Sequence, residues 1–294
     1  MLEGKMVRDF QGLFIDEMRN MFMPATSTLE VQFGQASDPG KVRSNNEDAV
    51  GSYIPNSRRK TRSHGYLFAV ADGVGGLDFG EVASSTAIAV VIEEFAKAQD
   101  GTVLAGLLPR LVHCANVAVY DAALTPERRG KRLATTIVTC ALRHDQAVVA
   151  HVGDSRCYLV RDGRAKALTQ DHTWVNEQRK LGLISDAELS TSDSKHVLVR
   201  LLGSEMFVSA DVVSATVRAN DVLVLSTDGL HGAISDTAIA EIATQNTTAN
   251  KIAQDLVTRA RELDGSDNAT AQVIRIRSVE PVGMYRGRPF RLRS

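Results

Sequence analysis

With 294 residues the chain can bury a large core, and its 44% apolar and 23% charged residues exclude a disordered or fibrous architecture. Thirty-four basic against 35 acidic side chains leave a net charge of −1, so no domain-wide positive field exists to gather nucleic acid or to hold the protein on anionic lipid. No apolar run reaches the ~20 residues of a membrane-spanning helix, and Glu3, Asp9, Asp16 and Glu17 are unlike a signal peptide, so the expected location is cytoplasmic.

Residues 1–28 place Phe10, Leu13, Phe14, Met18, Met21 and Phe22 at helical spacing ahead of Pro24 and a Thr/Ser cluster. This reads as an N-terminal amphipathic helix and linker packed on the domain's own surface, in preference to a partner-binding or membrane-surface helix, because its polar face is mixed rather than basic. Strand signals follow at 29–37, 48–55 and 66–71, with Arg58-Arg59-Lys60-Thr61-Arg62 read as a solvated hairpin loop. Helical periodicity covers 81–99 and 103–124. Four strand-like runs, 135–143, 146–152, 156–161 and 164–169, are separated by His144-Asp145, Gly153-Asp154 and Asp162-Gly163, and predict an antiparallel meander. Residues 171–203 turn polar and helical, with Trp174 to Leu181 and a capped start at Ser185-Asp186-Ala187-Glu188, as a mobile insertion would. Strands resume at 207–217, 221–227 and 269–279, with helices near 235–245 and 249–263. Blocks of strands separated by pairs of helices predict one α+β domain, two stacked antiparallel sheets with helices outside.

Cys114, Cys140 and Cys157 are too scattered for a disulfide framework or a zinc knuckle and read as reduced core residues. A thiol phosphatase would need arginine six residues after its cysteine; after His113-Cys114 that position is Tyr120, which argues against that mechanism.

The informative feature is a repeated design. Leu67 to Ala71 ends in Asp72-Gly73 and Val222 to Thr227 ends in Asp228-Gly229, each an apolar run too short for a helix that delivers a carboxylate to its tip. The glycine can turn at positive φ and lets its own carbonyl approach the same point. Gly75, Gly76 and Gly232 extend the pattern, although a strand-ending Asp-Gly alone is also an ordinary turn. Glu47-Asp48 and Asp267-Asn268 open two further strands. If these elements are neighbours, their like charges raise one another's pKa, and divalent cations relieve the cost. An oxygen donor set, with seven dispersed histidines and no ligand-spaced cysteine, suits Mn2+ or Mg2+ rather than zinc. Two such ions could activate a shared water for in-line attack on phosphorus. Arg43 is placed either to clamp a phosphate or to form a surface salt bridge.

The ordered motifs Ser37-Asp38-x-Gly40-x-x-Arg43-x-x-Asn46-Glu47-Asp48, Ala71-Asp72-Gly73-x-Gly75-Gly76, Gly80-Glu81, Thr135-Thr136, His151-x-Gly153-Asp154-Ser155-Arg156, Leu168-Thr169-x-Asp171-His172, Leu202-Gly203, Ser226-x-Asp228-Gly229-Leu230 and Asp267-Asn268-x-Thr270 resemble the bacterial type 2C metal-dependent serine/threonine protein phosphatases over about residues 31 to 279. The resemblance implies a four-layer α/β/β/α sandwich, with a phosphatase domain at 29–279, a flap at about 171–203 and a basic tail at 280–294 outside it. It implies two Mn2+ or Mg2+ ions, and a third at Asp154, whose alternative is a turn and hydrogen-bonding role. Asp72 would bridge both metals, Gly73 would offer its carbonyl, and Asp48, Asp228 and Asp267 would complete the set. Glu47 would act through water, Asp38 would shape the first loop and touch metal through water, Asn268 would support Asp267, and Arg43 would hold the substrate phosphate.

Arg200 is expected to fasten the flap. Val74 stands where some members carry a proton-donating histidine, leaving a metal-bound water, His172 or His231 as the source. Ala134 replaces a glycine before the threonine pair. The expected partners are phosphorylated proteins and a cognate serine/threonine kinase, with no nucleic acid and a monomeric state. The competing readings are a catalytically silent module of the same fold and a hydrolase of small phosphate esters.

Overall fold

The computed structural model describes residues 28–74, 79–128, 131–184, 197–280, 282–285 and 288–291. The N-terminal helix expected before residue 28, Gly75 and Gly76, and the cap at 185–188 lie outside the described residues. In chain order the elements are β1 (Glu30–Asp38), β2 (Asp48–Tyr53), α1 (Arg58–Ser63), β3 (Tyr66–Asp72), α2 (Gly80–Lys97) and α3 (Leu104–Ala123). The strands β4 (Ile137–Arg143), β5 (Gln146–Val152), β6 (Arg156–Arg161) and β7 (Arg164–Ala167) come next, then α4 (Trp174–Lys180), β8 (Asp211–Thr216) and β9 (Val222–Ser226). The chain continues through α5 (Asp228–His231), α6 (Asp236–Ala243), α7 (Ala249–Leu263) and β10 (Ala269–Ser278) to a ribbon of β11 (Val282–Tyr285) and β12 (Arg288–Arg291).

Two five-stranded sheets, ordered β1-β10-β9-β6-β7 and β2-β3-β4-β5-β8, are antiparallel throughout. Alternation along the strands explains the layering. In β3, Leu67, Ala69 and Ala71 face α2 and α3, whereas Phe68 and Val70 face the other sheet. In β9, Val222 and Val224 face α6 and α7, whereas Leu223 and Leu225 turn inward. Strands buried on both faces read as continuous apolar runs, and covering each sheet with a helix pair yields the expected four-layer α/β/β/α sandwich. Among the described residues no helix is long and apolar enough to cross a membrane.

Three expectations need correction. The basic segment is not a loop but the helix α1, because the Ser57 side chain accepts the Lys60 N–H and caps its start. The expected meander splits: β4 and β5 pair in one sheet, β6 and β7 in the other, the chain crossing at Gly153, whose φ is +101°. Asp162-Gly163 does form the tight hairpin, with φ of +51° and +72°. Cys140 and Cys157 are buried between the sheets, but Cys114 is exposed on α3. The expected tail holds the ribbon β11–β12.

Candidate active site

Because neighbouring strands are antiparallel, the end of β1, the start of β2, the end of β3, the β5–β6 crossing, the end of β9 and the start of β10 all lie at one end of the sandwich. Asp38, Asp48, Asp72, Asp154, Asp228 and Asp267 are thereby gathered. Asp48 stands directly opposite Asp72 across β2–β3. Asp228 is the first residue of α5 rather than a strand tip, and Asp267 lies two residues before the start of β10.

The Asp48 carboxylate is held from the other sheet. Its Oδ2 accepts hydrogen bonds from Thr227 Oγ1 at 2.9 Å and Thr270 Oγ1 at 2.6 Å. Its Oδ1 is buried with no hydrogen-bond partner. An orphaned carboxylate oxygen is costly unless something else engages it. Desolvation, outweighing both hydroxyls, with smaller contributions from Asp228 and Asp267, pushes Asp48 up to about 7. Desolvation, then Asp48, Asp228 and Asp154, raises Asp72 well above the carboxylate range. Asp154, 6% exposed, is pushed up to about 8 by desolvation and then by Asp228 and Asp171. Desolvation, followed by Glu81, raises Glu47.

The backbone of Asp72 is fixed by the threonine pair. Thr136 Oγ1 accepts the Asp72 N–H at 3.0 Å, and Thr135 Oγ1 donates to the Asp72 carbonyl at 2.7 Å. Thr136 also meets Ser155 Oγ at 2.7 Å, tying this strand to the Asp154 turn.

Gly73 and Gly229 are not among the positive-φ glycines. Their reason is proximity: a Cβ on Gly73 would lie 2.3 Å from the Gly80 carbonyl oxygen, and one on Gly229 would lie 2.1 Å from the Asn268 carbonyl oxygen. Gly229→Ala is therefore expected to destabilise the protein by about 1–3 kcal/mol while displacing Asn268 and Asp267. Urea unfolding together with kcat checks this; native values of both would contradict the packing argument.

Asn268 links the first loop to β10. Its Oδ1 accepts the Glu47 N–H at 2.7 Å, and its Nδ2 donates to the carbonyls of Pro39 and Asn45 at 3.0 and 2.9 Å. Asp38 Oδ1 accepts the Gly40 N–H at 2.8 Å and shapes that loop. Arg43, at the rim, pairs with Asp267 at 2.8 Å.

A cavity of about 700 Å3 runs from Asp228, Asp267 and Asp154 to the flap helix α4, where Val175, Asn176 and Arg179 form its far wall. His231 lines it, with Nε2 3.1 Å from the Asp154 carbonyl oxygen. His172 does not. It is fully buried, accepts the Gly153 N–H at 3.1 Å, and is pushed down to about 4 by desolvation and then by the neighbouring His151. Arg200 bonds Asp211 at 2.7 Å and reaches Glu177 at 3.8 Å, fastening the described flap residues to the second sheet.

Thr227 carried no expected role, although its position just before Asp228 and its hydroxyl were there to read. Among the described residues no three His, Cys, Asp or Glu side chains form a ready-made metal cage. The donor set nevertheless fits hard divalent cations. It is all oxygen, its acids suppress one another's ionisation, and the buried Asp48 Oδ1 has no other partner.

The family model described as Protein phosphatase 2C matches residues 35–180. A putative protein phosphatase 2C-type of Streptococcus pyogenes is 30% identical over 241 residues, covering 81% of this chain and 94% of that protein. The chain belongs to the protein phosphatase 2C family. Within that family it is a bacterial-type serine/threonine phosphatase. The phosphatase is similar in structure to the Streptococcus agalactiae serine/threonine phosphatase, with a TM-score of 0.75 and 29% identity over 84% of this chain and 100% of that one. It is also similar to the catalytic domain of the phosphatase PstP in complex with two manganese ions, with a TM-score of 0.71 and 30% identity over 85% of this chain and 100% of that one.

Proposed function

We propose that residues 29–279 form a catalytic domain that hydrolyses phosphoserine and phosphothreonine in proteins, with two divalent cations, Mn2+ or Mg2+, held by Asp48, Asp72, Asp228, Asp267 and the Gly73 carbonyl. A third would sit at Asp154. The observation that carries this is the buried Asp48 Oδ1, which has no protein partner and belongs to a carboxylate facing Asp72. When bound, the cations supply Lewis acidity, activating the attacking water and neutralising the phosphoryl oxygens.

This chain's own residues then do the rest. Thr227 and Thr270 fix the Asp48 carboxylate through Oδ2, leaving Oδ1 for a cation. Thr135 and Thr136 lock the backbone beneath Asp72. Arg43 uses one nitrogen on Asp267, so its remaining N–H groups can take two phosphoryl oxygens and hold phosphorus in line. Glu47 and Asp38 orient water at the rim, and Asn268 holds the Asp267 backbone in place. If a histidine gives the leaving alkoxide its proton, the cavity wall selects His231 over His172. The working unit is a monomer whose substrates are supplied by a serine/threonine kinase.

A cavity reaching from the carboxylates to the flap favours a peptide chain over a small ester. With Mn2+ present, kcat/KM for phosphothreonine and phosphoserine peptides is expected to exceed that for p-nitrophenyl phosphate and a phosphotyrosine peptide by about tenfold or more. Arg43→Ala should lower the peptide value by about 10²-fold, a loss typical of a charged contact to a reacting group. Equal efficiency on the small ester would redirect the assignment, and no phosphate release from any of them would leave only a binding module.

A further inference from the structure

Another, smaller cavity lies outside the carboxylate site. Its volume is about 230 Å3, and it sits between the end of α3, the segment leading into β4 and the turn at Gly203-Ser204. That is less than a small-molecule site needs and enough for one acidic or phosphorylated side chain. Its polar lining is Lys131 and Arg132, both exposed, with Ser204 and Tyr120; the buried Leu133 and Ala134 back it. Asp121 and Glu205 adjoin lining residues in sequence, but among the described residues no acid lines the cavity. Arg128 is engaged elsewhere: its guanidinium lies over the Phe79 ring at 5.5 Å, and Nη1 donates to the Ala122 carbonyl at 3.4 Å.

The wall of this cavity is held in advance. Asn116, fully buried on α3, accepts the Gly203 N–H at 2.8 Å and donates to the carbonyls of Glu205 and Met206 at 2.9 and 3.0 Å. Gly203 has a φ of +82°, and a Cβ there would lie 2.6 Å from the Leu133 carbonyl oxygen, so the turn closes on residues 131–134 only as glycine. A site built this way binds without first having to order its own backbone. Its inner edge is tied to the catalytic end. The Ala134 carbonyl accepts the Val74 N–H at 3.0 Å, and two residues later the Thr136 N–H donates to the Asp72 carbonyl at 2.8 Å. Two extended residues span about 7 Å, which sets the scale of the separation from Asp72.

We propose that this cavity is a second oxyanion site for the substrate, in which Lys131 and Arg132 take the carboxylate or phosphate of a side chain near the phosphoserine or phosphothreonine being hydrolysed. An extended peptide advances about 3.3 Å per residue, so the side chain concerned lies roughly two to four positions away. The proposal rests on the peptide-hydrolysing function argued above and adds a substrate class to it, segments that are acid-flanked or doubly phosphorylated. The chemistry of the lining suits that ligand. A guanidinium offers two parallel N–H groups to a pair of oxygens, an ammonium adds a compact charge, and the Ser204 hydroxyl is a further donor. Because both cations are exposed, the preference is modest in size and weakens as salt rises.

The test is kcat/KM of the full chain, at fixed Mn2+, for phosphothreonine peptides with Asp, Asn or Lys at roughly the second to fourth positions before or after the phosphothreonine. On one side, Asp is expected to exceed Asn by about fivefold or more, and the ratio should shrink with added salt. Lys131→Glu with Arg132→Glu should abolish the Asp preference on that side and turn it toward Lys. The ratio is internal to each preparation, so partial unfolding or metal loss in the variant does not move it. Hydrolysis of all the peptides at equal efficiency would overturn the second site and leave the phosphatase function standing, whereas no hydrolysis of any of them would overturn both. An Asp preference that survives in the double variant would also overturn the proposal. So would inorganic phosphate altering turnover of the Asn peptide in the parent but not in the variant, which would assign the cavity to a free anion.

Discussion

Asp72→Asn should yield a folded phosphatase whose turnover of a phosphothreonine peptide is reduced on the order of 10³-fold or more, the scale on which removal of a charged catalytic group is felt. The substitution keeps the shape of the side chain and removes one negative charge. It leaves the backbone bonds from Thr135 and Thr136 intact, so the strand end is not disturbed. Without metal the variant should melt higher than the parent, because desolvation and the charges of Asp48, Asp228 and Asp154 all oppose ionisation of Asp72 in the fold. Loss of activity together with a gain in metal-free stability separates a ligand carboxylate from a structural one, whose removal lowers both. Asp228→Asn should behave likewise. Near-native kcat of either variant at saturating Mn2+ would remove the assignment.

Much of the fold was legible because strand alternation and helix periodicity are local. The ranges of β5, β6 and α7 match the sequence expectation, since each is bounded by a turn or a capping residue. The failures share a cause. Arg58 to Arg62 looked like a turn because four cations in five residues outweighed the single capping Ser57 in the reading. The meander was misassigned because three residues between β5 and β6 look the same whether the chain doubles back in one sheet or crosses to the other. Only the packing of both sheets decides that.

In the site, the acids themselves could be read, but their supports could not. That Asp48 faces Asp72 depends on register between strands separated by a helix and two loops. That Thr227 and Thr270, from the other sheet, should both donate to one oxygen of Asp48 depends on how the sandwich stacks. Of the two reasons the sequence offered for these glycines, close backbone approach holds and positive φ does not: at Gly73 and Gly229 neighbouring backbone leaves no room for a Cβ. Which backbone presses there, that of Gly80 and of Asn268, is a tertiary property that no local pattern reports.

Exhaustive chelation should abolish turnover, and Mn2+ should restore it; the stability of the stripped protein then carries an independent signature. Asp48 and Asp154 have folded-state values of about 7 and about 8 against an ordinary value of 3.8, and Asp72 is raised as well. The folded protein thus binds more protons than the unfolded chain between those limits, so stability falls as pH rises across the interval. The contribution is fully present below about pH 4 and is lost by about pH 8. Metal-free protein should therefore melt at least about 5 °C lower at pH 8 than at pH 5. Mn2+ should reverse that ordering, because the cations compete with protons for the same oxygens and bind the folded state only. Melting curves at the two pH values, with and without Mn2+, measure both effects. Full activity after metal stripping, or a metal-free melting temperature that does not fall between pH 5 and pH 8, would show that these carboxylates are not the crowded, cation-seeking cluster the fold assembles.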